Sequence, residues 1–157
     1  MSTKAYIKGT FVRIPLAGGL YGYGRLRQFP HVSFYDFHTS EPISDLDQIA
    51  SKPILFTLAA HKSVLDTWEI IGQRPLEEGI ARPFERFMQD LTNYSNCKIM
   101  DEAGHARVAT PEECIGLERV AVWESNHIED RLLDTFLGRA NKWVESLQVK
   151  LPDQTSN

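Results

Sequence analysis

The sequence predicts an α+β fold, mostly antiparallel, with a strand-rich N-terminal half packed with a helix-richer C-terminal half that ends in a long amphipathic helix. Two observations predict this class. Between Thr10 and Gly72, short β-branched and aromatic runs alternate with Gly and Pro, and after Asn126 apolar residues recur at helical spacing. A length of 157 residues fits one compact core. We therefore expect a single domain over residues 1–151 and a polar tail over residues 152–157.

Five strands are expected in the N-terminal half, because side chains there alternate with a period of two and Gly or Pro separates the runs. The predicted strands are residues 10–16, 21–27, 31–37, 53–60 and 67–72. Ala17-Gly18-Gly19 turns the chain between the first two strands, which should form a hairpin. A helix of one or two turns is expected from Ser44, since Asp47 follows three residues later.

The C-terminal half should mix helices with a hairpin. Phe84, Phe87, Met88 and Leu91 fall at i, i+3, i+4 and i+7, which predicts an amphipathic helix that begins near Pro83. A hairpin is expected from residues 97–100 and 105–109, with Ala103-Gly104 in its turn.

Three further elements are expected after that hairpin. Thr110-Pro111-Glu112-Glu113 combines a Thr cap, Pro at the first helical position and Glu at the third, so it predicts a helix start. Leu117–Trp123 is typical of a strand. The apolar side chains from Ile128 to Leu147 form one continuous face, which predicts the long C-terminal helix.

Composition excludes several classes of protein. The two cysteines, Cys97 and Cys114, lack CxxC spacing and fit buried thiols in a reducing compartment. Five histidines are scattered without metal-ligand spacing, so we expect no metal and no cofactor. A net charge of −4 argues against a nucleic-acid binder, and no apolar run is long enough for a signal peptide or a membrane span. The expected location is cytoplasmic.

Charge is unevenly distributed along the chain. Residues 1–38 hold five basic side chains against one acid, whereas residues 101–134 hold nine acids against three arginines. Such a run is commonly a solvated face, and it is also the surface expected to dock a basic partner protein. The candidate partner-binding residues in this stretch are Asp101, Glu102, Glu112, Glu113, Glu118 and Glu124.

No catalytic constellation stands out. A hydrolase site would have to be assembled in space around His61, Asp66 and Glu69, and the Glu77-Glu78 pair is best interpreted as solvated. One aromatic and charged set on the predicted strands could bind a small ligand or peptide, or could close the core. Its members are Tyr23, Arg25, Tyr35, Asp36 and Trp68.

A series of short motifs in the N-terminal half gives the most specific signal. In order, they are Gly9-Thr-Phe-Val-Arg-Ile-Pro-Leu16, Tyr21-Gly-Tyr-Gly-Arg25, Phe34-Tyr-Asp36, Ile54-Leu-Phe56 and Trp68-Glu-Ile-Ile-Gly-Gln-Arg-Pro-Leu76. Their order and spacing over about residues 4–90 resemble the immunity protein 26 family of bacterial polymorphic toxin systems. The residues that match the family pattern are Ile14, Pro15, Leu16, Gly22, Gly24, Arg25, Tyr35, Asp36, Trp68 and Gly72.

The resemblance implies a small, strand-rich cytoplasmic protein, encoded beside a secreted toxin, that binds this toxin and protects the producing cell. We therefore expect a protein without enzymatic activity that neutralises a cognate toxin by occlusion. A basic nuclease domain is the class of toxin that the acidic stretch would complement. The alternatives that remain are the ligand-binding module and, third, the hydrolase.

Overall fold

The computed structural model describes residues 5–152. It is 39% strand and 21% helical, which confirms the α+β class. The chain divides into two compact units: one contains the residues up to Arg82 together with Val122–Asn141, and the other contains Pro83–Ala121 and the residues from Lys142 onward. One domain over residues 1–151 stays a prediction, and residues 153–157 of the expected tail lie outside the described part of the chain.

The elements follow one another in this order: β1 Thr10–Leu16, β2 Leu20–Leu26, β3 His31–Thr39, α1 Leu46–Ala50, β4 Ile54–Ala60, α2 Val64–Thr67, β5 Glu69–Gln73, β6 Glu85–Asp90, β7 Asn93–Asp101, β8 Ala106–Ala109, a 3-10 helix Glu112–Cys114, β9 Glu118–Arg119, β10 Val122–Trp123, α3 Ser125–Phe136 and α4 Lys142–Leu147. No helix within residues 5–152 is long and apolar enough to cross a membrane.

The first unit contains a six-stranded sheet in the order β10-β4-β3-β2-β1-β5. The four strands β1 to β4 are antiparallel neighbours, as the alternating pattern predicts, and only β10 runs parallel to its partner β4. Two boundaries differ from the expectation. Asp45, not Ser44, caps α1, because its carboxylate accepts the Gln48 N–H at 3.1 Å. The predicted fifth strand starts late, since Val64–Thr67 is helical.

Both faces of this sheet are covered. On one face Gly22 leaves room for Leu132 and Phe136 of α3, and a Cβ at that position would lie 3.4 Å from Leu132 Cδ1. On the opposite face Phe11, Tyr23, Tyr35 and Ile49 of α1 form a hydrophobic cluster. Successive residues of β2 therefore alternate between two packed layers.

The second unit contains a four-stranded sheet in the order β8-β7-β6-β9. The amphipathic helix predicted from Pro83 is wrong, because Glu85–Asp90 forms β6 and pairs along β7. Phe87 faces a core of Cys97, Ile99, Ala109 and Cys114, whereas Leu91 lies exposed beyond the strand. Helical spacing is therefore accidental here. Both cysteines are free and buried, as expected.

The β7–β8 hairpin with its turn at Ala103-Gly104 is confirmed. Thr110 forms the predicted reciprocal hydrogen bonds with Glu113, but the helix at this place is a single 3-10 turn, Glu112–Cys114, directly after Pro111. The strand predicted over Leu117–Trp123 is two short strands in different sheets, β9 beside β6 and β10 beside β4.

The long C-terminal helix is interrupted. It ends at Phe136 and resumes at Lys142, and α3 belongs to the first unit while α4 belongs to the second. Gly138 has a φ of +70°, the left-handed conformation in which glycine commonly ends helices. The prediction of one helix from residue 126 to residue 147 is therefore only partly correct, because the apolar pattern continues through a glycine stop.

Candidate functional site

Arg25 connects two of the sequence motifs through hydrogen bonds. Its side chain is fully buried. The guanidinium donates from Nε to the carbonyl of Gly9 at 2.7 Å, and from Nη2 to the carbonyls of Arg74 and Pro75 at 2.9 Å each. Arg25 closes the Tyr21–Arg25 motif, while two of its acceptors lie in the Trp68–Leu76 motif. The motifs therefore meet in space at one buried cation.

The charge of Arg25 is balanced at the same place. Its Nη1 donates to Glu77 Oε2 at 2.8 Å and to the Tyr35 hydroxyl at 3.1 Å, and the guanidinium lies 3.9 Å from the centre of the Phe11 ring. Arg74 also pairs with Glu77, at 3.2 Å. Glu77 and Glu78 are both exposed, as expected for a solvated pair, but Glu77 also forms ion pairs with Arg25 and Arg74, which the sequence did not indicate.

Two pKa values reflect this setting. Burial raises the pKa of Tyr35 above its usual value, and the hydrogen bond from Arg25 offsets only part of the rise. Burial also acts to raise the pKa of Glu77. The hydrogen bond to its own backbone and the charges of Arg25 and Arg74 outweigh that effect, so the pKa is lowered. Glu77 therefore remains ionised and balances the buried guanidinium.

The glycines that match the family pattern are explained by close packing. A Cβ at Gly24 would lie 3.3 Å from Phe34 and from Val12, and one at Gly72 would lie 2.6 Å from Leu46 of α1. Among the other pattern residues of β1, Ile14 and Leu16 are buried, and Pro15 is exposed near the end of the strand. These residues determine the fold of the first unit.

The five residues of the ligand hypothesis do not form one exposed face. Tyr23, Arg25 and Tyr35 lie buried on the α1 side of the sheet. Trp68 is also buried, but it packs edge-on against Phe34 at 5.8 Å, and its indole donates to Glu129 of α3 at 2.9 Å. Asp36 alone is exposed. In this structure four of the five side chains are thus packed in protein, on two different sides of the sheet.

The six acidic candidates divide between the units. Five of them belong to the second unit, where Asp101 ends β7, Glu102 follows it, Glu112 and Glu113 lie in the 3-10 helix and Glu118 lies in β9, and Glu124 belongs to the first unit. Glu112, Glu113 and Glu124 are exposed, while Asp101, Glu102 and Glu118 are partly buried. Four of these five candidates therefore lie on either side of β8 along the chain, and Glu118 lies in β9 at the other edge of the sheet.

Two of these carboxylates also hold the local backbone. Glu113 Oε1 accepts the Thr110 N–H at 2.9 Å, and Thr110 Oγ1 in turn accepts the Glu113 N–H at 3.2 Å, which forms a reciprocal capping box. The backbone N–H of Thr110 is the main cause that lowers the pKa of Glu113. Asp101 accepts the His105 N–H at 2.9 Å, and this hydrogen bond lowers the pKa of Asp101.

The groups of the hydrolase hypothesis are engaged elsewhere. His61 Nδ1 accepts the Ser63 N–H at 3.2 Å at the start of α2, and Glu69 pairs with Arg13 at 2.9 Å. Over residues 5–152, no hydrogen bond or ion pair links His61 to Asp66 or Glu69. In the same range no group of three or more His, Cys, Asp or Glu side chains is arranged to hold a metal ion.

The thiols are unsuited to act as nucleophiles. Cys97 donates to the Tyr94 carbonyl at 3.3 Å and Cys114 to the Thr110 carbonyl at 3.4 Å. Burial, together with the nearby Cys97, raises the pKa of Cys114 to about 11. Because the thiolate is the reactive form, this raised pKa disfavours Cys114 as a nucleophile, and the burial of both cysteines fits small core side chains.

Sequence reasoning did not identify β8 as an exposed edge. Arg74 and Glu77 were missed as partners of Arg25, because a span of about fifty residues separates them from it in the sequence. Only the fold brings these groups together.

The geometry defines a class: an α+β protein whose N-terminal sequence motifs build the core of its first unit. The family model for Immunity protein 26 matches residues 7–98, more than half of the chain. The chain therefore belongs to the immunity protein 26 family, as its motifs suggested. No curated protein and no solved structure matches the chain at a significant level.

Proposed function

We propose that this protein is a cytoplasmic immunity protein that binds a cognate toxin of a polymorphic toxin system and neutralises it by occlusion. The observation that carries the proposal is the family match over residues 7–98. The burial of the motif side chains supports it, since Arg25, Tyr35 and Trp68 serve the fold and are not presented to a substrate. The protein itself supplies no chemistry in this proposal.

The acidic stretch supports a basic partner, of which a nuclease domain is one class. Residues 101–118 hold five carboxylates and one arginine. Charge complementarity of this kind speeds association and disfavours wrong partners. The family match ends at residue 98, so these acids lie outside the region that matches the family. This position suits residues that select one toxin among many.

The proposal is tested by titrating the purified protein with the toxin domain encoded beside its gene. We expect a one-to-one complex with a Kd of about 1 nM or below, or about −12 kcal/mol. A toxin that retains its full activity in the presence of excess protein would contradict the proposal.

Glu112 is the cleanest probe of the acidic stretch, because it is exposed and, unlike Glu113, does not cap the 3-10 helix. We expect Glu112→Lys to slow association at low salt, and we expect the difference from wild type to shrink as salt screens the charges. Glu112→Gln is the matched control, with an intermediate effect. An association rate that is independent of salt would exclude the acidic stretch as part of the toxin-binding interface.

The ligand-binding alternative has less support, because four of its five residues are buried. It would require the sheet of the first unit to open. The hydrolase alternative has still less support, because His61 is hydrogen-bonded to Ser63 and Glu69 is paired with Arg13.

A further inference from the structure

The strand β8 leaves an open edge on the sheet of the second unit. It is the terminal strand of that sheet and has only β7 as a neighbour. Its Val108 side chain is 82% exposed, and Ala106 and Arg107 are exposed as well. The outer edge of β8 is therefore accessible to another molecule.

The register shows which backbone groups point outward. Asp101 donates its N–H to the His105 carbonyl at 2.9 Å, and the same register continues as Ile99 opposite Arg107 and Lys98 opposite Val108. Hydrogen-bonded pairs alternate along an antiparallel ladder. The N–H and C=O groups of Ala106 and Val108 therefore point away from β7.

These outward groups are unpaired within residues 5–152, since no hydrogen bond to the backbone of Ala106 or Val108 is present on that side. The next outward N–H, that of Thr110, is closed by Glu113 at 2.9 Å. The capping box thus ends the free edge at a defined residue. What remains is a short row of donors and acceptors of the kind that pairs with an added strand.

The other sheet edges are less open. β9 and β10 have two residues each, and Trp123 of β10 is buried. At β5, Gly72 packs against Leu46 of α1, and Glu69 pairs with Arg13. β5 is also a terminal strand with exposed residues, but no large apolar side chain on these other edges is as exposed as Val108: Ile70 of β5 is 39% exposed and Val122 of β10 is 63% exposed.

Charge indicates what would occupy the edge. Asp101 and Glu102 precede β8, and Glu112 follows it, so carboxylates flank the strand at both ends. Two basic side chains also lie nearby. Lys98 of β7 stands opposite Val108, and Arg107 of β8 pairs with Glu85, with 3.6 Å between Nη2 and Oε1. Residues 101–113, which contain β8 and the segments on both sides of it, nevertheless hold four carboxylates and one arginine, whereas Glu118 lies in β9 at the other edge of the sheet. A strand with basic flanks matches this pattern best.

We infer that β8 is the docking edge for the toxin, which adds an extended, basic-flanked strand beside Ala106–Ala109 through main-chain hydrogen bonds. The inference rests on the proposed function and names the surface and mode of binding. Main-chain pairing provides affinity, and the flanking acids select the partner.

The test replaces the outward donor while keeping the sheet. In Val108→Pro the lost N–H is not one that β7 uses, and proline is tolerated on edge strands in this orientation. Val108→Thr is the matched control, because it keeps the N–H and the branched shape while removing apolar character. We expect Val108→Pro to weaken toxin binding by about tenfold or more, equivalent to about 1.4 kcal/mol, and Val108→Thr to bind nearly as wild type does.

A second measurement uses the unaltered protein. We expect the Ala106 and Val108 amides to exchange hydrogen rapidly in the free protein and slowly in the toxin complex. Wild-type binding with no such protection, or equal losses in Val108→Pro and Val108→Thr, would overturn main-chain pairing at β8 and leave the proposed function standing. No binding by the wild-type protein would overturn both.

Discussion

Arg25 is the residue on which the first unit depends most. Three backbone carbonyls, one phenol and one carboxylate accept hydrogen bonds from its guanidinium. A buried cation of this kind is tolerated only when its donors are satisfied. The carbonyls of Arg74 and Pro75 lie in a segment with no helix or strand. Arg25 therefore fixes a stretch of backbone that secondary structure does not hold.

Removal of this guanidinium should be costly. We expect Arg25→Met to lower the free energy of unfolding by about 3–5 kcal/mol, because it leaves buried acceptors unpaired. Arg139→Met is the control, since the Arg139 side chain is largely exposed and pairs with Asp134, and it should cost about 1 kcal/mol or less. Urea unfolding of the two variants provides the measurement, and equal losses would contradict the role given to Arg25.

Glu113 should give the protein part of its acid sensitivity. Its pKa is lowered in the folded state, chiefly by the Thr110 N–H. Its contribution is therefore present above the unfolded pKa of about 4.3 and is lost as the pH falls through the lower folded value. In Glu113→Gln the side chain can still accept the Thr110 N–H but no longer titrates. We expect unfolding free energy to fall less steeply with acid in this variant, and an unchanged slope would contradict the assignment.

At the scale of elements, alternation and turn chemistry predicted β1 to β4 and the β7–β8 hairpin. The prediction from sequence was wrong where the same apolar spacing is compatible with both a helix and a strand. Phe84, Phe87, Met88 and Leu91 match a helical stripe, yet Arg86 and Phe87 occupy opposite faces of β6. The pairing partner that decides between these structures, β7, lies further along the chain. Local spacing therefore could not decide between them.

The strand assignment of Glu85–Asp90 predicts unequal effects of truncation. Phe87 is fully buried, whereas Leu91 is 64% exposed. We expect Phe87→Ala to cost about 3–5 kcal/mol and Leu91→Ala less than about 1 kcal/mol. A helix would place both on one buried stripe, so similar losses in thermal or urea unfolding would favour the helix over β6.

The interrupted C-terminal helix had a signal in the sequence. Gly138 follows the last turn of α3 and adopts the left-handed conformation. Asn141 then donates to Asp134 at 2.9 Å beyond the break. A glycine just after the last turn is a common end of a helix. Weighting that signal above the apolar pattern would have predicted two helices.

Across the whole molecule, the charge counted along the sequence predicted the surface poorly for the basic N-terminal stretch, residues 1–38. It predicted the surface better for the acidic stretch, residues 101–134. Arg25 and Arg27 of the basic N-terminal stretch are buried, and Arg27 donates to the carbonyls of Ile80 and Arg82. Both arginines donate hydrogen bonds to backbone carbonyls and form no basic surface. Glu112 and Glu124 of the acidic stretch, by contrast, are exposed to solvent. The site could be predicted only to this extent: the sequence predicts the strand β8, but the position of β8 at the edge of the sheet depends on the pairing of distant strands.

The central claim is that this member of the immunity protein 26 family neutralises a toxin by binding it. The most direct measurement is bacterial growth when the chain is co-expressed with the toxin encoded beside its gene. We expect full rescue by the wild-type protein and no rescue by an unrelated acidic protein of similar size. Cell death despite an equal amount of soluble, folded wild-type protein would contradict it.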